Sequence, residues 1–257
     1  MKPKNEGLRL ELLYTPDCPN LKKTRDLIRE TLQDLGLEIS PREIEISGPG
    51  KAEEEAFPGS PTIRIDGQDL EPESARTVTS GCRIYKTGTG APEGPPLKFK
   101  IAQAAGLKTV LFICTGNAVR SQMAEALVNH FLKGRWAAFS AGFLPAGISP
   151  LVVKVLKEVG IDAARQPAKH LDLFNGLTFD RVITLCSDAD RMCTFYPAYG
   201  NRVHLPYTDP LSLSTFGFGW KSLFRKLRDD MSNQLIPYLE AENRKKGAGE
   251  EKLAKKI

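Results

Sequence analysis

The sequence predicts a two-domain α/β protein. Its 257 residues are enough for two ordinary cores. The N-terminal stretch reads as βαβ followed by two strands, and from Thr109 onward short apolar runs alternate with helix-period segments. That alternation implies a parallel sheet covered on both faces. The division expected is residues 8–106, residues 107–245 and a charged tail over 246–257, with Gly106-Leu107-Lys108 as the boundary.

In the first domain a strand is expected over residues 8–14, then a turn at Thr15-Pro16-Asp17-Cys18-Pro19 and a helix with Leu21, Ile28, Leu32 and Leu35 on one face. A second strand covers 43–46. After a polar stretch around Lys51 to Glu55 and the Gly59-Ser60-Pro61 turn, a third covers 62–65, closed by Asp66-Gly67. A last strand is expected at Cys82 to Lys86, and a helix over 97–105 follows a Gly/Pro-rich passage.

In the second domain strands are expected at 110–114, 137–141, 181–186 and 202–205. Helices are expected from Arg120, from Pro150 to a stop at Gly160, and over about residues 220–240, with Leu223, Leu227, Met231 and Leu235 on one face. Ligands of open parallel sheets bind outside the carboxyl ends of strands, and Cys114 and Cys186 both lie at such ends.

The segment Cys114-Thr-Gly-Asn-Ala-Val-Arg120-Ser121 joins a strand to a helix and combines a thiol with a guanidinium five residues away. A turn of this kind presents successive backbone N–H groups and a helix N-terminus, which favour a tetrahedral oxyanion. The same field favours a thiolate at Cys114. Arg120 adds a planar fork for two anion oxygens. Thr115, Gly116, Asn117, Ala118, Val119, Arg120 and Ser121 thus form the expected oxyanion cradle. Gly116 is expected to permit a tight backbone, Asn117 to tolerate a left-handed conformation and Ser121 to hydrogen-bond the sulfur.

Cys186 and Cys193 offer a thiol relay, or else two packed cysteines or half of a zinc site. The spacing is wrong for zinc and the three histidines, His130, His170 and His204, are scattered, so no metal is expected. Asp209, before Pro210, is placed to protonate a leaving oxygen. The net charge of +5 is modest and its lysine excess lies in the tail. Without interleaved aromatic residues the tail reads as solvated rather than nucleic-acid binding. No apolar run approaches a membrane span and the polar N-terminus is unlike a signal peptide, so a cytoplasmic protein is expected. Five cysteines, an odd number, argue for thiol chemistry over a disulfide framework.

Residues 109 to about 240 resemble a thioredoxin-coupled arsenate reductase of the low-molecular-weight protein tyrosine phosphatase (phosphotyrosine protein phosphatase I) superfamily. The resemblance rests on Val110-Leu-Phe-Ile-Cys-Thr-Gly-Asn117, Arg120-Ser-Gln-Met-Ala-Glu125, Ser140-Ala-Gly142, Val155-Leu-Lys-Glu-Val-Gly-Ile-Asp162, Cys186, Cys193 and Asp209-Pro210. It implies that Cys114 attacks arsenic while Arg120 and the loop amides hold the oxygens, and that Asp209 protonates the departing hydroxyl. Cys186 would then attack Cys114, releasing arsenite, and Cys193 would attack Cys186, leaving a Cys186–Cys193 disulfide. The resemblance implies no tightly bound cofactor and an external thiol reductant such as thioredoxin. Asn117, Glu125 and Ser140 match positions that in some relatives support the loop and line a potassium site. Val119 departs from the second loop cysteine of many relatives, and Leu211-Ser212 from the aromatic residues usual in phosphatases. Both departures favour the reductase over the alternative, a phosphatase acting through a phosphocysteine at Cys114, and over a non-enzymatic oxyanion binder.

Tyr14-Thr-Pro-Asp-Cys18-Pro19 is similar to the active-site turn of glutaredoxins and thioredoxin-like proteins, and Gly59-Ser60-Pro61-Thr62 to their cis-proline loop. A thioredoxin-like N-terminal domain is implied, in which Leu21 replaces the second cysteine of the usual pair. Cys18, alone or with Cys82, is a candidate redox thiol. A last strand beginning at Cys82 would hold the two apart, whereas a loop folding back would bring them together.

Overall fold

The first short strands pair because their alternating apolar residues bury one face. The computed structural model describes residues 7–75, 78–79, 81–193, 200–212 and 219–254, the last twelve of them as backbone only. The chain divides into two compact units, Met1–Thr109 with Lys133–Ala137, and Val110–Leu132 with Ala138–Ile257.

In the N-terminal unit β1 (Leu10–Tyr14), α1 (Leu21–Leu35), β2 (Arg42–Glu45), α2 (Pro49–Glu54), β3 (Thr62–Ile65), β4 (Gln68–Asp69) and α3 (Gly94–Ala104) follow in order. The sheet runs β2-β1-β3-β4, with β1 parallel to β2 and antiparallel to β3. The apolar stripe of α1 is buried at Leu21, Ile28, Leu32 and Leu35, and the helix stops at Gly36, whose φ of 71° suits the left-handed cap. The polar stretch around Lys51 to Glu55 contains α2, which its composition does not announce. Pro49 stands in the first turn of α2, and Ala52 packs with Leu13, Ile46 and Phe57.

The strand expected at Cys82 to Lys86 is not one. Asp66 and Gly67 both have positive φ, 51° and 80°, so the chain reverses at once and β4 pairs with β3 as a tight hairpin. Cys82 makes only an isolated parallel bridge with Ser60, whose peptide bond to Pro61 is cis. Beside it the Arg83 guanidinium is buried and bonds both carboxylate oxygens of Asp69 at 2.6 Å, the Thr62 hydroxyl and the Glu71 carbonyl. Side-chain bonds thus fix this segment where a backbone ladder was expected.

In the C-terminal unit β5 (Lys108–Cys114), α4 (Arg120–Phe131), β6 (Trp136–Gly142), α5 (Pro150–Lys157), β7 (Phe179–Thr184), α6 (Ser187–Met192), β8 (Gly200–His204) and α7 (Trp220–Ala254) follow. The sheet order is β6-β5-β7-β8, and the pairs β5–β7 and β7–β8 are parallel, with Ile113 opposite Thr184. The chain passes from β5 to β6 at one edge and from β7 to β8 at the other, so the crevice outside the carboxyl ends of β5 and β7 is a switch point, where open α/β sheets bind ligands. Residues 111–114 are fully buried, as a strand covered on both faces requires. Ser149 caps α5 by accepting the Leu151 N–H, with Pro150 in the first turn. The inner face of α7 is Phe224, Leu227, Met231, Leu235 and Leu239 rather than one including Leu223. The helix expected to end near Glu240 continues to Ala254, through the start of the charged tail. Residues 216–218 of the Phe216–Trp220 segment and residues 255–257 of the tail lie outside those described. No described helix is long and apolar enough to cross a membrane.

Phe139, Phe174 and Phe179 form a triangle of edge-to-face rings with centroids 5.5 to 5.9 Å apart under the sheet. Phe139→Ala should therefore cost about 3–5 kcal/mol of unfolding free energy. Urea denaturation followed by circular dichroism checks this, and a loss below roughly 1 kcal/mol would show that the cluster does not carry the unit's core.

Candidate active site

Strand β5 delivers Cys114 to the switch point with its side chain 2 % exposed, and α4 begins at Arg120. Between them the carbonyls of Thr115, Gly116 and Ala118 accept the N–H groups of Leu144, Ala146 and Ser149 at 2.9 to 3.0 Å. The loop's carbonyls are thereby committed to the 144–149 segment. The amides of residues 115–119 donate to no backbone carbonyl among the described residues. An unpaired run of N–H groups beside a helix N-terminus is a seat for an oxyanion.

Asn117 holds this shape. Its φ is 41°, a left-handed conformation that asparagine tolerates better than most residues. Its Nδ2 donates to the Ser121 and Ser140 hydroxyls, each at 2.9 Å, and its Oδ1 accepts the Lys169 backbone N–H at 2.7 Å and the Gln122 amide at 3.2 Å. Because Ser121 Oγ accepts from Asn117, its own proton is free for Cys114 Sγ, 2.9 Å away. The glycine that the loop demands is Gly142 rather than Gly116. A Cβ at Gly142 would lie 2.7 Å from both Asn117 N and Thr115 O, whereas one at Gly116 would meet only Leu144 O, at 3.8 Å. Gly116 also does not have positive φ. Val119 is 5 % exposed and packs inward at the start of α4.

The Arg120 guanidinium reaches Asp209 Oδ2 at 2.8 Å and the Tyr207 carbonyl at 3.4 Å, so the 207–209 loop lies at the same edge. Arg120 Nε is buried and has no hydrogen-bond partner among the described residues. A buried donor left open at a concave loop is what an anion oxygen would satisfy. Burial pushes the Tyr207 hydroxyl up to about 12, with Asp230 adding to the effect.

Strand β7 ends opposite β5, with Leu185 N donating to Ile113 O at 2.9 Å. Cys186 follows directly, and its sulfur lies 3.5 Å from the Thr115 hydroxyl, next to the Cys114 position. Cys186 and Cys193 are each 8 % exposed and cap the two ends of α6. Burial pushes the Cys193 thiol up to about 11, with Asp190 adding to the effect and Arg202 opposing it. The structure therefore brings Cys114, Arg120, Cys186 and Asp209 together and holds Cys193 one short helix away. Cys18 and Cys82 belong to the N-terminal unit. His170 caps the 3₁₀ turn Leu171–Phe174, and His204 bonds the Thr184 hydroxyl at 2.9 Å.

Lys169 is absent from the sequence reading of the site. Its side chain is 4 % exposed, and its ammonium bonds Glu125 Oε2 at 2.9 Å and the Pro167 carbonyl at 3.0 Å. Glu125 in turn accepts a short bond from Ser140, which extends the chain through Asn117 and Ser121 to the Cys114 sulfur. The Lys169 ammonium already occupies the Glu125 carboxylate, so these residues do not fit a potassium ion there. Among the described residues no group of three or more His, Cys, Asp or Glu could hold a metal ion. A lone lysine in Pro167-Ala-Lys-His170 carries no pattern that could have announced this role.

An α/β unit with a thiol and an arginine on an anion-binding turn at a sheet switch point defines a class of protein that handles tetrahedral oxyanions through a cysteine. The chain belongs to the low molecular weight phosphotyrosine protein phosphatase family, whose model matches residues 109–245. It is 39 % identical over 133 residues to the arsenate reductase of Bacillus cereus (strain G9842), which covers 52 % of this chain and 95 % of that protein. To the arsenate reductase of Shouchella clausii it is 37 % identical over 135 residues, covering 52 % and 96 %. Among solved structures, an arsenate reductase in the phosphate binding state aligns at 26 % identity over 52 % of this chain and 98 % of that one, with a TM-score of 0.43. The low molecular weight protein tyrosine phosphatase of T. tengcongensis aligns at 29 % identity over 52 % and 99 %, with a TM-score of 0.45.

Removing the Lys169 charge leaves Glu125 buried and uncompensated, which costs about 3–5 kcal/mol. Lys169→Met should lose about that much unfolding free energy, because the Glu125 carboxylate is left buried without its cation. Adding Glu125→Gln should recover most of it. Denaturant midpoints of the single and double variants test this, and a double variant no more stable than Lys169→Met would mean that packing alone is at stake.

Cys193 gives a second expectation. Its folded value lies above the ordinary 9, so its labelling by iodoacetamide in the reduced chain should keep rising to about pH 11. By the same sign, the folded state loses stability as pH climbs through that window. Peptide mass spectrometry measures the labelling, and a plateau near pH 9 would show that burial does not hold the thiol.

Proposed function

We propose that the C-terminal unit reduces arsenate to arsenite through a Cys114–Cys186–Cys193 relay, the resulting disulfide being reduced by an external thiol protein such as thioredoxin. The observation that carries this reading is the second thiol: Cys186 is delivered to the loop by the end of β7, beside Thr115. Phosphate hydrolysis through a phosphocysteine has no use for it. The relatives that match at 37–39 % identity are arsenate reductases, which supports the same reading.

The steps balance as follows. With arsenate seated on the loop amides and Arg120, the Cys114 thiolate attacks arsenic and one oxygen leaves as water, protonated by Asp209 as Arg120 exchanges its contact for the anion. Cys186 then attacks the Cys114 sulfur. The arsenic–sulfur bond breaks with its electron pair passing to arsenic, which leaves as arsenite, and a Cys114–Cys186 disulfide remains. Cys193 attacks Cys186, freeing Cys114 and leaving the Cys186–Cys193 disulfide.

The last step requires α6 to open. Its two capping cysteines are separated along the helix by about 10 Å at the usual rise, and a disulfide needs Cα atoms closer than about 7 Å. The helix suits this, since Ser187–Met192 is a short segment in which only Ala189 is buried. Helices of this length are marginal without tertiary support. Opening would also free the Cys193 thiol from the burial that keeps it protonated.

For the N-terminal unit we propose a thioredoxin-like fold. The sheet order β2-β1-β3-β4, with β1 and β2 parallel and β3 and β4 antiparallel, and the helix α1 following the Cys18 turn support it.

The test is arsenate-dependent NADPH oxidation coupled through thioredoxin and its reductase. Cys114→Ser and Cys186→Ser should be inactive, Cys193→Ser should release arsenite in a single turnover only, and Asp209→Asn should slow turnover by about 10²–10⁴-fold. Steady turnover in Cys186→Ser or Cys193→Ser would refute the relay. Hydrolysis of an aryl phosphate that survives both substitutions, without arsenate reduction in the wild type, would make the unit a phosphatase.

A further inference from the structure

Cys18 and Cys82 take no part in the relay, and both are free thiols, Cys18 half-buried and Cys82 exposed. A strand beginning at Cys82 would have carried it away from Cys18, but the chain folds back. Ser60 N donates to Gly81 O at 2.8 Å and Arg83 N donates to Ser60 O at 3.0 Å, which lays Cys82 alongside Ser60. Neighbouring backbones in such a bridge lie about 4.8 Å apart. The Ser60 hydroxyl also accepts the Thr15 N–H at 3.0 Å. Thr15 in turn closes the turn that carries Cys18, whose N–H donates to Thr15 O at 3.1 Å.

A second tie lies on the far side of each cysteine. A Cβ at Gly90 would collide with the Asn20 amide and stand 3.7 Å from the Arg83 carbonyl oxygen, so Asn20 and Arg83 share one glycine as neighbour. The residues on both sides of Cys18 are thus joined, through Ser60 and Gly90, to the residues on both sides of Cys82. The buried Arg83 guanidinium, bound twice to Asp69, anchors the Cys82 side.

We propose that Cys18 and Cys82 form a dithiol–disulfide exchange site, paired by the tertiary fold instead of by adjacent sequence positions, with an accessible disulfide as its substrate. One thiolate attacks a sulfur of the external disulfide, whose other sulfur departs as a thiolate and takes up a proton. The remaining cysteine then attacks the mixed disulfide and expels the second thiol. The external disulfide is reduced to two thiols, and the two cysteines are oxidised to one Cys18–Cys82 disulfide. This site belongs to the N-terminal unit and does not depend on what the Cys114 loop reduces.

The full chain carrying Cys114→Ser, Cys186→Ser and Cys193→Ser retains only these two thiols. Treated with dithiobis-nitrobenzoate, it should release both thionitrobenzoate groups of each reagent molecule, keep no adduct and yield a tryptic peptide pair joined through Cys18 and Cys82. Adding Cys82→Ser should instead leave a stable adduct on Cys18. Two retained adducts without a joined peptide would overturn the proposal, as would a Cys18–Cys82 linkage found only between chains. If circular dichroism shows the triple variant to be unfolded, the same peptide pair is sought in the oxidised wild-type chain. There the link supports the site, and separate modification of both cysteines overturns it.

Discussion

The C-terminal unit depends on the left-handed Asn117 and the four hydrogen bonds of its side-chain amide. Placing that residue at φ 41° turns the loop so that its carbonyls serve the 144–149 segment and its N–H groups are left for an anion. The conformation is held because both ends of the amide are satisfied in a site closed to water, where an unmade bond would cost roughly 1–3 kcal/mol. One end ties the loop to Ser121 and Ser140, the other to the Lys169 backbone and Gln122. The Cys114 thiol, its loop and the buried ion pair are therefore one connected network, and it reaches Lys169, 55 positions further along the chain.

Around that seat the cysteines of the proposed relay differ in how firmly they are held. Cys186 is fixed by the β5–β7 register, since a parallel pairing that sets Ile113 opposite Thr184 brings it to the loop. Cys193 sits at the far end of a short helix as a buried thiol pushed up to about 11. This combination separates the roles by structure. In the proposed relay the first two thiols would react from the ends of neighbouring strands, whereas the third would require α6 to open, so that its burial and its distance would change in the same event.

The two units place their cysteines by different means. In the C-terminal unit the strand ends of one sheet converge on one crevice. In the N-terminal unit no strand brings Cys82 to Cys18, and the approach rests on a returning loop pinned by Ser60, Gly90 and the buried Arg83. An arginine with its charge fully enclosed is costly unless each donor finds an acceptor. The bonds to Asp69, Thr62, Glu71 and Ser74 meet that demand at both terminal nitrogens and hold the loop, while Nε has no hydrogen-bond partner among the described residues.

The sequence by itself determined the alternation of strands and helices in the C-terminal unit, the turn at Cys114, and the residue types Asn117, Arg120 and Ser121, because periodicity and turn chemistry are local and survive in a string of letters. It also marked Cys186, Cys193 and Asp209 as positions at or after strand ends. Only the tertiary structure decided that Gly142, not Gly116, must lack a side chain, since the atoms it would strike come from a loop many residues away. It likewise decided that Lys169 neutralises Glu125, that the hairpin at Asp66-Gly67 displaces the strand expected at Cys82, and that Cys82 returns to Ser60. Each of these rests on contacts between residues far apart in the chain. Single side chains such as Lys169 and Arg83 leave no periodic trace, and burial with a specific partner gives them meaning only once the fold has closed.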